Sequence, residues 1–307
     1  MAAFVLGGAA KSGTSTLADL LASHPDIHVI ARKEAHHYLF RGQAPAFCGP
    51  GDETFARMVV SDPGHWAELL AEGQHLATVG EASVYYLYRR EVWPILANAL
   101  GPDGRVVLIL RDPVERVASA WGHLVRDGRE WLSLSDALAA EDERVALGWE
   151  WCWHLRRVSR YHEQLPAVLD AFDRDRVFVA DFAELKTDPH GLLARIQGFL
   201  GVDLVDVDDS VPTINPSGSV RSSRVHGFLT QPHPVKDALR PFVPDRFIQQ
   251  VYRRSLARNL RPLPPMSPEV RATLAQDFAD VPSGVRALVG LDTSGWCAPR
   301  AEATLRQ

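Results

Sequence analysis

Cysteine is scarce in this chain of 307 residues: Cys48, Cys152 and Cys297 are scattered and show no C-x-x-C spacing. That excludes a disulfide framework and a paired-thiolate zinc or redox centre, and leaves reduced thiols in a cytoplasmic protein as the expectation. Long apolar runs are missing as well. No stretch is long enough to span a bilayer, and the run Phe4 to Leu6 is too short for a signal peptide, with Lys11 standing where its apolar region would continue. Excess positive charge is also lacking. The 33 Lys and Arg are outnumbered by 38 Asp and Glu, a formal net charge of -5, so the overall balance asks for neither nucleic acid nor an anionic membrane as partner. Repeats, low-complexity tracts and an interdomain linker are absent too, so residues 1–307 read as one domain.

What is present is an alternation. Short β-rich runs, "AFVLGG", "IHVIA", "LATVGE", "RVVLILR" and "RVFVAD", are interleaved with segments of helical period such as "TSTLADLLASH", "REVWPILANAL", "PVERVASAWGHLV" and "HGLLARIQGFLG". Leu17, Leu20 and Leu21 fall on one helical face, as a helix packed on its own strand requires. The pattern predicts an α/β protein, a P-loop-like three-layer fold with a central parallel sheet flanked by helices. The segment "WEWCWHLRRVSRY" is read as helical, with Trp149 and Trp153 on one face and Trp151 opposite. Helices are also expected around Val270 to Leu291.

"GGAAKSGTST" follows the first strand and opens the first helix. Gly8 and Gly13 keep the G-x-x-x-x-G spacing of a phosphate loop, but Thr14 and Ser15 follow where an ATPase has Lys and then Ser or Thr. Backbone amides and the helix dipole can still hold an anion there, with Ser12, Thr14, Ser15 and Thr16 adding hydroxyl donors. Lys11 lies inside the loop, suited to a bridging oxygen or a transferred group. A second anion site is read at "RVVLILRDPVERVASAW": Arg111 ends a strand, where open α/β sheets bind ligands, and Ser119 lies farther along the next helix. The competing reading pairs Arg111 with Asp112 or Glu115.

The two segments "KSGTSTL" and "LILRDPVERVASAW" together resemble the signature regions of sulfotransferases that use 3′-phosphoadenosine 5′-phosphosulfate (PAPS). "RKEAHHYLF" is similar to the KE-x-HFF segment of heparan sulfate N- and O-sulfotransferases and related bacterial enzymes. "VGEASVYYL" resembles their EK(T/S)PxYF segment, with Ala82 where many have lysine and Val84 where many have proline. "NPSGSVRSSRVHGFL" resembles the loop over the nucleotide. The resemblance implies PAPS as donor and PAP as product, no metal, and a cofactor site of Lys11, Ser12, Gly13, Thr14, Ser15, Thr16, Arg111, Ser119 and Arg221. It implies Glu34 as general base, with Lys11 and His36 as its catalytic partners. Lys33, His37, Glu81 and Trp131 are the candidates for a small-molecule, glycoside or carbohydrate acceptor.

Two alternatives stand beside this reading. One is a P-loop kinase or NTPase, for which Asp181 at the end of "RVFVAD" offers a Walker-B-like acid; the other is a nucleotide-binding protein that has lost catalysis. Arg156, Arg157 and Arg160 are read either as drawing an anionic nucleotide in or as a charged helix face.

Overall fold

The computed structural model describes residues 2–30, 33–206, 219–220, 260–261 and 265–299. Arg221 and most of the loop around it lie outside the described residues.

Strands β1 (Ala2–Gly8), β2 (Ile27–Val29), β3 (Thr78–Ala82), β4 (Arg105–Leu110) and β5 (Val177–Asp181) form one sheet in the order β2-β3-β1-β4-β5, every pairing parallel. The expected parallel α/β sheet is therefore observed. A short antiparallel pair, β6 (Ser219–Val220) with β7 (Leu260–Arg261), lies outside it.

The helices follow from the segments between strands. Helix α1 (Thr14–Ala22) follows β1; α2 (His37–Phe40), α3 (Glu53–Met58) and α4 (Pro63–Ala71) fill the passage from β2 to β3; α5 (Trp93–Leu100) precedes β4. Then come α6 (Pro113–Arg126), α7 (Leu134–Ala139), α8 (Glu141–Ala146) and α9 (Tyr161–Ala171) before β5, and α10 (Phe182–Thr187), α11 (Pro189–Leu200), α12 (Pro268–Asp277) and α13 (Val281–Val289) after it.

Alternation along β4 divides the core. Val106, Leu108 and Leu110 pack into one layer with α5, α6, α9, α12 and α13, while Val107 and Ile109 pack into the other with Leu17 and Leu21 of α1 and Ile196 and Leu200 of α11. Each fully buried leucine or isoleucine contributes roughly 1.5–3 kcal/mol. A sheet covered on both faces reads as continuous apolar runs, as β4 does.

Strand β1 has β3 on one side and β4 on the other, so the chain leaves it toward one edge and later crosses to the opposite edge. Ligands of open α/β sheets sit at such a switch point, beyond the carboxyl ends of the strands. In this chain that places the loop after Gly8, the turn after Ala82 and Arg111 beside one another.

Two sequence expectations need correction. "WEWCWHLRRVSRY" is not a helix but two 3₁₀ turns, Trp151–Trp153 and Arg157–Ser159. Trp149 and Trp153 still meet edge to face at 4.8 Å, and Trp151 joins a different cluster, because the turn, not helical spacing, sends the rings apart. The three arginines are committed elsewhere: Arg156 to Asp277 at 2.8 Å, Arg157 to Asp142 at 2.8 Å and Arg160 to Glu163 at 3.6 Å. Their charges are met by acids along a 3₁₀ segment, which favours the charged-surface reading.

Candidate active site

The loop after β1 is shaped by its backbone. Gly8 (φ 121) and Gly13 (φ 84) occupy the left-handed half of conformational space, and so does Lys11 (φ 76). A Cβ on Gly8 would lie 2.1 Å from the Ile109 carbonyl oxygen, and one on Gly13 2.6 Å from the Phe182 ring, so neither position admits a side chain. Gly13 is the N-cap of α1 and supplies no side-chain cap, which leaves the first amides of the helix for an anion. The Ser12 hydroxyl is buried and has no hydrogen-bond partner among the described residues.

Among the described residues the Lys11 ammonium makes no hydrogen bond or ion pair. Burial, followed by the charge of Arg126, lowers its pKa to about 8, with Arg111 and Lys33 adding to the effect and Asp127 opposing it. Of these cations, Lys11, Lys33 and Arg111 were named from the sequence, and Arg126 is the addition. The last turn of α6 was missed: Arg126 bonds both His123 and Asp127 there, and burial together with the charge of Lys11 pushes His123 down to about 3. Spacing on α6 alone could have flagged these residues, since His123 lies four positions beyond Ser119.

Arg111 donates to the Lys11 carbonyl at 2.9 Å, and its guanidinium lies 4.9 Å from the centre of the Phe182 ring. Among the described residues no acid forms an ion pair with this arginine. Asp112 caps α6 through Val114 and also accepts from the Cys297 amide, while Glu115 pairs with Arg271 at 2.8 Å. Ser119 sits in the second turn of α6 and hydrogen-bonds to no described residue.

Across from the loop, the turn before α2 carries the remaining candidates. Glu34 (φ 60) and His36 (φ 45) are both left-handed, so among the described residues three of the four non-glycine positions with positive φ, counting Lys11, belong to the candidate site. Such backbone persists only when its surroundings hold it there. Glu34 Oε2 lies 3.2 Å from His36 Nε2 and accepts the Val84 amide at 3.0 Å. Burial raises its pKa, but His36, Lys33 and the Val84 amide outweigh that and hold the carboxyl below its usual range. The departure at Val84 therefore supplies a donor: a proline there would have no N–H to give.

Lys33 joins the two halves. Its ammonium contacts the Ser15 hydroxyl, lies 3.4 Å from the Thr14 hydroxyl, and sits 3.9 Å from Glu34 Oε1. Glu34 is the accessible acid, its side chain 19 % exposed, while the His36 side chain is wholly buried against Phe55, Tyr85, Tyr86 and Trp151.

Three other candidates are placed apart from this group. His37 diverges from His36 and stacks on Trp66 at 4.7 Å, with Nδ1 2.7 Å from the Val60 carbonyl. Trp131 is 75 % exposed in the segment between α6 and α7. Glu81 is buried behind the turn and bonds Ser83 and Tyr86, so it reaches neither Lys11 nor the first turn of the next helix as a cap.

Residues 3–215 match the family model described as the sulfotransferase domain. The chain belongs to the sulfotransferase family. The crystal structure of a sulfotransferase from Alicyclobacillus acidocaldarius is similar to it over 97 % of this chain and 99 % of that one, at 31 % identity and a TM-score of 0.75. Heparan sulfate glucosamine 3-O-sulfotransferase 3A1 of Mus musculus is 23 % identical over 204 residues, 66 % of this chain and 47 % of that protein. Heparan sulfate glucosamine 3-O-sulfotransferase 6 of Homo sapiens is 26 % identical over 202 residues, 66 % of this chain and 52 % of that protein. The chain thus spans about half the length of the curated relatives it matches.

Sulfotransferase membership agrees with what the acids do. Asp181, the Walker-B-like candidate, caps α10 through one oxygen and accepts the Trp296 indole N–H at 2.7 Å with the other. Asp52, Glu150 and Cys152 cluster closely, but Arg129 lies between the two carboxylates and bonds both. Among the described residues no helix is long and apolar enough to cross a membrane.

Proposed function

We propose that this protein transfers a sulfuryl group from PAPS to a hydroxyl or amine of a small-molecule, glycoside or carbohydrate acceptor, with Glu34 as general base. The observation that carries the reading is Lys33, whose one ammonium touches both the hydroxyls of the anion cradle and the accessible carboxylate. Base and cradle are therefore a single side chain apart, the separation an in-line transfer between them requires.

The residues present fit the donor. A buried, unpartnered Ser12 hydroxyl, uncapped amides at the start of α1 and two positions where a Cβ would collide describe a cradle for an anion approached by backbone. The 5′ end of the donor would be held by residues 12–16 with Lys11, and its 3′-phosphate by Arg111 and Ser119. Bound there, PAPS supplies a sulfuryl group already activated as a phosphosulfate anhydride.

The chain's own residues supply the rest. Lys11 would set a cation beside the donor's bridging oxygen, and burial with the neighbouring cations lowers its pKa to about 8. Glu34, ionised at neutral pH, takes the acceptor proton. His36 stands behind it with no exposed surface, so it orients Glu34 and shares its proton without meeting the acceptor. Intact Lys11, Glu34, His36 and Arg111 favour a working enzyme over a nucleotide-binding scaffold.

The test is a screen of phenolic, glycoside and amine acceptors with labelled PAPS, using the wild type, Lys11→Ala and Glu34→Ala. Transfer by the wild type that both variants lose supports the reading. Unchanged transfer in both variants would overturn the residue roles, and failure of PAP to bind the wild type would overturn the donor.

A further inference from the structure

Glu81 is a carboxyl that the proposed mechanism does not use. It is next to last in β3, is 3 % exposed, and cannot touch an acceptor. Its Oε1 nevertheless accepts two short hydrogen bonds, from the Ser83 hydroxyl at 2.6 Å and from the Tyr86 hydroxyl at 2.7 Å, while Oε2 is buried without a partner.

Each of those hydroxyls is itself an acceptor from the candidate base turn. Ser83 Oγ receives the His36 amide at 3.0 Å, and the Tyr86 hydroxyl receives the Tyr38 amide at 3.3 Å. A hydroxyl has one proton and two lone pairs, so donating the proton to Glu81 turns its lone pairs toward the amides. A carboxylate oxygen is the acceptor that can satisfy two such donors at once.

The geometry points to Glu81 as the positioning residue of the base turn. By accepting from Ser83 and Tyr86 it sets two hydroxyls to receive the His36 and Tyr38 amides, and so holds His36 left-handed behind Glu34. This inference rests on the reading of Glu34 and His36 as the base pair. Burial raises the Glu81 pKa to about 7 against the pull of the two hydroxyl donors, which is the cost of placing an acceptor this deep. Among the other ties to the turn are two backbone-to-backbone bonds, Glu34 to the Ala82 carbonyl at 2.8 Å and Val60 to the Ala35 carbonyl at 2.9 Å. Neither of them holds the His36 amide. That amide depends on Ser83, and Ser83 on Glu81.

The experiment compares ¹⁵N-labelled full-length wild type with Glu81→Ala, Glu81→Gln and Ser83→Ala. The readouts are hydrogen exchange at the His36 amide, the imidazole nitrogen shifts of His36 and the affinity for PAP. The inference expects His36 amide exchange to rise about tenfold or more in Glu81→Ala and Ser83→Ala, with altered imidazole shifts and PAP affinity within about twofold of wild type. Glu81→Gln, which keeps an oxygen acceptor, should restore the wild-type signature. Unchanged His36 signals in both alanine variants would overturn it. So would a glutamine variant as disturbed as the alanine one, or a parallel loss of PAP affinity, which marks general collapse. Should Glu81→Ala not fold, Ser83→Ala and Glu81→Gln decide, since the first removes the hydroxyl that links Glu81 to the His36 amide while leaving the Tyr86 bond in place, and the second keeps that link. None of these readouts needs turnover, so they remain separable from the Glu34 role, which Glu34→Ala kinetics tests independently.

Discussion

On the donor side of the crevice, residues 8–16 make a cradle of consecutive backbone: left-handed glycines, amides at a helix start and a lysine in between. On the acceptor side, nothing is consecutive. Glu34 is held by His36 and by an amide 50 residues away, the His36 amide by a hydroxyl 47 residues away, and the rings around His36 come from that same distant segment and two further ones. A site made of backbone tolerates side-chain change and fails when the backbone is obstructed. A site made of distant side chains fails when any one partner is lost.

That contrast can be broken at several points. The largest effect expected is from Gly8→Ala, where a Cβ would meet the Ile109 carbonyl in left-handed backbone. It should destabilise the fold by about 3 kcal/mol or more, read by thermal or denaturant unfolding, and a Tm near wild type would show that the cradle does yield. Glu34→Gln should lower kcat by roughly 10²–10⁴-fold with PAP affinity little changed, in steady-state kinetics beside calorimetry. A matching loss of PAP affinity would merge the two sides into one.

Lys11 gives the pH dependence. Its proton is lost in the free enzyme as pH rises through about 8, so kcat/KM for PAPS should fall about tenfold per unit above that pH. In Lys11→Arg the residual activity should lack this limb, because a guanidinium stays charged. Val84→Pro should be milder. The preceding Ser83 is already extended (φ -138, ψ 108), so proline fits, but the amide donated to Glu34 is gone. With less to hold it down, the Glu34 pKa should rise, and the acid limb of the rate profile should move toward neutral pH with a loss of several-fold in kcat. The smallest effect expected is from Ser12→Ala, about 1 kcal/mol or less in PAP affinity, because amides do most of the holding on that side.

The donor side was largely legible in the sequence for the same reason it is robust. Loop, strand and helix are neighbours along the chain, and the spacing of Gly8, Lys11 and Gly13 is a local signal. The five strands were legible too, since apolar runs bounded by turns do not depend on partners. Lys33, Glu34 and His36 were named from the sequence, but not their ranking. That Glu34 is exposed and His36 wholly buried follows from Phe55, Tyr85 and Trp151 closing over the imidazole. Glu81 was named for the wrong surroundings, because nothing local shows that Ser83 and Tyr86 both bond it. The "WCW" segment misled because aromatic spacing fits a helix and a 3₁₀ turn alike.

The sequence by itself determined the alternation of strands and helices and the anion loop, both of them consequences of steric and hydrogen-bond preferences between near neighbours. Only the tertiary structure decided which acid stays accessible, which histidine turns inward, and that the Val84 amide meets Glu34. Those outcomes depend on contacts between residues 33–38 and 81–86. The parallel arrangement of β1, β2 and β3 brings these segments together, and no local preference could specify that meeting.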